Sequence, residues 1–119
     1  MEVGQAVDKL AALAQETRLR IFRLLVEAGD AGLNAGAIAD ALALPAATLS
    51  FHVAHLKRAG LVASRQESRF IYYSACYPAM DDLIAFLTDN CCQGAQCCLP
   101  KSEGAATTSK RRRKAGLAA

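Results

Sequence analysis

Long apolar runs are missing: no stretch of the 119 residues is apolar for long enough to span a bilayer. The N-terminus lacks the basic, then apolar, then small-residue order of a secretion signal. No segment repeats internally. Histidine is scarce, with only His52 and His55 in the chain. Net charge is also small, at +3, which does not by itself argue for a nucleic-acid partner. These absences set the expectation of a soluble, cytoplasmic protein with no membrane partner.

What charge there is sits unevenly. Residues 110–114 read Lys-Arg-Arg-Arg-Lys, and without that run the remainder is slightly acidic. After Leu99 and Pro100 the chain turns to Ser, Thr, Gly, Ala and Lys/Arg, which reads as a disordered basic tail over 101–119. The preceding stretch, 1–100, is long enough for one domain, and a hydrophobic fraction of 53% lets it bury a core.

Hydrophobic spacing gives the elements. Val7, Leu10, Ala11 and Ala14 share one helical face over 5–14. A second helix follows a cap at Gln15 or Thr17, carries Leu19, Phe22 and Val26, and stops at Gly29-Asp30-Ala31-Gly32. Asn34 precedes a short helix over 35–42. Pro45 suits the start of another over about 46–59, which Gly60 ends. Residues 61–65 and 70–74 are rich in β-formers and flank a turn at 66–69, so they read as a two-stranded hairpin. A final helix opens at Pro78, carries Met80, Leu83, Ile84 and Leu87, and ends near Asn90.

The order α-α-α-α-β-β-α, with a tight turn at Leu44-Pro45, predicts a mainly α fold: a winged helix-turn-helix. At 100° per residue, Leu49, Val53 and Leu56 face the core of the helix over 46–59. The opposite face then shows Ala47, Phe51, Ala54 and Arg58, flanked by Ser50 and His55. Small and polar side chains let a helix approach base edges closely. Thr48 joins this candidate DNA-reading set. Lys57, Arg58, Arg65 and Arg69 suit phosphate contacts from the helix end and the wing. His52 falls near the inward side and reads as half-buried and structural. The partner expected is double-stranded operator DNA.

Ser50-Phe51-His52-Val53, then Leu56, then Ala59-Gly60-Leu61-Val62 resembles the recognition element of the ArsR/SmtB family of metal- and metalloid-responsive repressors. Residues 18–25 are similar to that family's second helix, and the likeness covers about 6–90. The resemblance implies a winged-helix homodimer with its interface on the first and last helices. Two departures matter. Residues 34–40 carry none of the thiols that some members place before the recognition helix. The last helix has Asp81, Asp82 and Asp89 but no histidine, unlike the family's zinc sensors.

The five cysteines are Cys76, Cys91, Cys92, Cys97 and Cys98. Cys76 stands alone and reads as a small buried hydrophobe. The other four crowd into residues 91–98 just after the last helix, a candidate sensor segment within the domain over 1–100. Thiolates without imidazole select soft centres, and trivalent arsenic or antimony takes three sulfurs in a pyramid. Cys91 and Cys92 sit where the chain can leave helical geometry, and Gly94 permits the reversal that returns Cys97 or Cys98. The segment resembles arsenic-responsive repressors that use a vicinal cysteine pair plus a third cysteine, and Cys98 suits that spacing slightly better than Cys97. The expected inducer is arsenite, a methylated arsenical or antimonite, with no cofactor required. A thiolate site for zinc, cadmium or lead, or a redox switch, remains open. The negative end of the helix dipole disfavours a poised thiolate nucleophile, which argues against an enzyme.

Overall fold

The computed structural model describes residues 1–94, so Cys97, Cys98 and the segment over 101–119 lie outside the described residues. The described residues fall into two units, Met1–Leu87 and a second that begins at Thr88.

The first three helices start where a side chain can satisfy unpaired N–H groups. α1 (Val3–Leu13) opens with a capping box between Glu2 and Gln5. α2 (Glu16–Ala28) is capped by Gln15 rather than Thr17, through the Arg18 backbone N–H at 2.9 Å. β1 (Leu33–Asn34) leads directly into α3 (Ala35–Leu42), whose first turn donates from the Ala37 N–H to Asn34 Oδ1 at 2.8 Å. Ala43 takes a left-handed φ of 55° and ends α3. α4 (Ala46–Arg58) follows Pro45, and Gly60, at φ 83°, turns the chain into the wing. β2 (Val62–Glu67), β3 (Phe70–Ala75) and α5 (Tyr77–Thr88) complete the order.

The wing departs from expectation in two ways. It belongs to a three-stranded antiparallel sheet of order β1-β3-β2, not a two-stranded hairpin. Leu33 pairs with Tyr73 and Asn34 with Tyr72. A two-residue strand has no period to read, so only its pairing reveals it. The hairpin turn is also shorter than four residues, because Gln66 pairs with Ile71 and Glu67 with Phe70. That leaves Ser68 and Arg69, with Ser68 left-handed at φ 57°.

Ile21 and Leu25 of α2, Ile38 of α3, and Leu49 and Leu56 of α4 are fully buried, together with Leu61. α5 buries Leu83 but leaves Ile84 and Leu87 exposed, so half of its expected apolar stripe faces outward. The Tyr77 hydroxyl donates to the Val26 carbonyl at 2.8 Å and ties the start of α5 to the end of α2. Burial, with the Asp30 charge behind it, pushes that phenol's pKa up. Among the described residues, no single helix is long and apolar enough to cross a membrane.

Gly32 is the tightest point of the sheet. Its φ is +72°, and a Cβ built there would lie 2.3 Å from the Tyr73 carbonyl oxygen. Gly32→Ala is expected to lower stability by more than about 2 kcal/mol, since a left-handed backbone alone costs a Cβ-bearing residue about 1–2 kcal/mol. Urea denaturation with an unchanged m-value checks it.

Candidate nucleic-acid interface

The rotation of α4 is fixed by what it hides. Leu49, Val53 and Leu56 are buried, and every other side chain of the helix is at least partly open. Ala47, Ser50, Phe51, Lys57 and Arg58 are exposed, while Thr48, Ala54 and His55 are half-buried. The ten expected DNA-contacting residues therefore lie on the outer surface of α4 and on the wing, all within Met1–Leu87.

The cations divide into two kinds. Arg58 and Arg69 are exposed and form no ion pair among the described residues. Arg65 is also exposed, but its guanidinium is already bonded to protein. Its Nη2 donates to the Ala31 carbonyl at 2.7 Å, its Nε donates to the Glu67 carboxylate at 2.7 Å, and its guanidinium lies over the Tyr72 ring at 5.2 Å. It pins the wing to the turn after α2. Lys57 is intermediate: Nζ donates to Ser64 Oγ at 2.8 Å, linking the end of α4 to β2.

A second tie lies behind α4 and was not visible in the sequence. The Arg18 Nε donates to the Ala12 carbonyl at 2.7 Å, and its Nη1 lies 3.2 Å from His52 Nδ1. A guanidinium can only donate, so Nδ1 accepts and the ring proton sits on Nε2. One side chain thus joins the last turn of α1, the start of α2 and the middle of α4. His52 has its pKa lowered, first by burial, then by the Arg18 charge and by His55.

Cys91 and Cys92 belong to the second unit. α5 ends at Thr88, and the backbone then turns left-handed at Asn90, Cys92 and Gln93, with φ of 57°, 55° and 59°. Cys91 Sγ lies 3.8 Å from Cys92 Sγ. Cys92 is disulfide-bonded, whereas Cys76 and Cys91 are not. Cys76 is half-buried rather than fully buried. Among the described residues, no three His, Cys, Asp or Glu side chains converge.

A family model for a helix-turn-helix domain matches residues 13–65. The transcriptional activator HlyU of Vibrio cholerae is 35% identical over 93 residues, covering 78% of this chain and 83% of its own. The chain belongs to the ArsR/SmtB family of winged-helix transcriptional regulators. The HlyU structure superposes with a TM-score of 0.61 at 35% identity, over 78% of this chain and all of that one. The homodimeric winged helix-turn-helix domain of a possible ArsR-family regulator from Mycobacterium bovis gives 0.60 at 28% identity, over 82% and 90%. A crystal structure of a possible transcriptional regulator for arsenical resistance gives 0.58 at 30% identity, over 67% and 80%. Relatives of this ArsR/SmtB protein are transcriptional regulators rather than enzymes, and α3 and α4 supply its helix-turn-helix.

Two outcomes are expected from this geometry. Arg58→Ala and Arg69→Ala should each weaken DNA binding across sequences and flatten the salt dependence by about one counterion. Arg65→Ala should instead lower thermal stability, because its guanidinium holds protein rather than solvent. Salt-titrated anisotropy and a melting curve separate the two.

The His52 contact gives a pH dependence. A folded-state pKa below 6.5 means that the unfolded chain binds the extra proton first. The stabilisation is complete above about pH 6.5 and is lost as pH falls through the window beneath it. His52→Gln should flatten the melting temperature across that window; a slope unchanged from wild type would refute the assignment.

Proposed function

We propose that this regulator is a homodimeric, cytoplasmic repressor that leaves its operator when trivalent arsenic or antimony binds Cys91, Cys92 and a third thiolate from Cys97 or Cys98. The observation that carries the reading is the Cys91–Cys92 pair, with sulfurs 3.8 Å apart on backbone that has already left the helix. Two adjacent thiols with that freedom can chelate one soft centre, whereas a hard cation would prefer oxygen. Cys91 is a ligand only once its thiol loses its proton, and Cys92 must first be reduced from its disulfide to a thiol and then lose one too. The likeness to a possible transcriptional regulator for arsenical resistance supports this choice of ligand.

Two further observations support the remaining parts. α1 exposes Val3, Val7 and Leu10 along one face, and α5 exposes Ile84 and Leu87; such faces suit a second copy, as in the homodimeric Mycobacterium bovis domain. The outward face of α4 suits the major groove of an operator, with one helix for each half-site. The domain over 1–100 then carries both reading and sensing, with the basic tail adding nonspecific affinity.

The disulfide at Cys92 favours a second reading, in which oxidation alone sets DNA affinity. A gel-shift on operator DNA separates the two, using reduced protein with arsenite, cadmium or zinc, and oxidised protein with none. Cys91→Ser or Cys92→Ser should still bind DNA but resist arsenite, since a hydroxyl is a poor ligand for a soft centre. Single changes at Cys97 or Cys98 should be mild, and the double change should abolish release. A full arsenite response in the Cys91→Ser, Cys92→Ser protein defeats the metalloid reading. Release on oxidation with no response to any metal or metalloid establishes the redox one.

A further inference from the structure

Among the described residues, α4 turns one large apolar side chain outward: Phe51, at 63% exposure. Its neighbours one turn away on the same face are Ala47 and Ala54, which cannot reach as far. The ring therefore stands clear of the helix as its one apolar projection. It is not loose. Its edge meets the His52 ring with centroids 5.3 Å apart, and His52 is held from behind by Arg18 at 3.2 Å.

The chemistry of the major groove limits what such a ring can meet. Base edges there present N7, O6 and O4 acceptors and N4 and N6 donors, none of which a phenyl group can satisfy. The thymine C5-methyl is the apolar feature on offer. We propose that Phe51 is a specificity-determining residue that packs on a thymine C5-methyl group in each operator half-site. This rests on α4 being the base-reading helix. Ser50 and His55 beside it would read polar edges, and Arg58 would hold a phosphate, so the ring fixes one position and leaves its neighbours to hydrogen bonds.

The test removes one methyl group at a time. Full-length protein selects duplexes from a random library, and each thymine of the preferred sequence is replaced singly by deoxyuridine. One position per half-site should cost the wild type about fourfold in affinity, the factor that follows from burying one methyl. Phe51→Ala should be indifferent at that position, keep the wild-type salt slope and lose the thymine preference in a fresh selection. Equal sensitivity of wild type and Phe51→Ala at every thymine overturns the proposal. So does a Phe51→Ala protein with altered oligomeric state and an unaltered selected sequence, which would place the ring in a protein contact. A library yielding no preferred sequence with wild type overturns base reading by α4 itself, and Phe51 with it.

Discussion

Everything that α4 presents to solvent depends on the three side chains it hides. Leu49, Val53 and Leu56 enter a core built from Ile21, Phe22, Leu25, Ile38 and Leu61. Each such residue contributes about 1.5–3 kcal/mol by leaving water. A helix rotates as a unit, so anchoring one stripe fixes the azimuth of all the others. Turning α4 by one residue would expose that stripe and bury Ser50 and Lys57, neither of which has a buried partner waiting. The reading face is thus specified by apolar burial rather than by contacts of its own.

Burial sets rotation but leaves tilt and wing position less constrained, and polar ties supply them. Arg18 links α1, α2 and α4 through the Ala12 carbonyl and His52. Arg65 links β2 to the turn after α2, and Lys57 links α4 to β2. Tyr77 links α5 to α2. All four reach another element with a long side chain whose head finds a carbonyl, a ring nitrogen or a hydroxyl. A cation used this way keeps its charge but has donors already committed to protein acceptors, so fewer are left to meet a phosphate. Exposure alone does not make a basic residue a DNA contact; Arg58 and Arg65 are both exposed and differ in what their guanidinium groups already hold.

Periodic features were legible in the sequence and pairwise ones were not. The helix over 35–42 and the stop at Gly60 follow from local signals: an Asn cap, an apolar repeat, a left-handed glycine. The buried trio of α4 follows from the same 100° arithmetic. β1 escaped because two residues carry no alternation, and its reality lies in the Leu33–Tyr73 and Asn34–Tyr72 pairing forty residues away. The sequence places Arg65 on the wing as a phosphate contact, and nothing local shows that the Ala31 carbonyl also lies within its reach. His52 was read as structural from its azimuth, but its partner Arg18 sits on another helix and left no trace in spacing. Ile84 and Leu87 fit the apolar repeat of α5 yet face outward, since periodicity marks a face without saying whether the same chain covers it.

The proposed switch has a thermodynamic requirement that its geometry must meet. A ligand lowers DNA affinity only to the extent that it binds the DNA-free state more tightly, and DNA must weaken the ligand by the same factor. The ligand therefore needs a segment with two arrangements, one of which it selects. Residues 90–93 are suited to this: three of the four have left-handed φ, a conformation with little intrinsic preference in residues that carry a Cβ. Once Cys92 is reduced, sulfur bonds to one central atom can rewrite such backbone without breaking a helical hydrogen-bond ladder, whereas a continuous helix would have to break its hydrogen bonds first. A sensor placed three residues beyond Thr88 can thus be labile while the reading head, anchored by Leu49, Val53 and Leu56, keeps its own geometry.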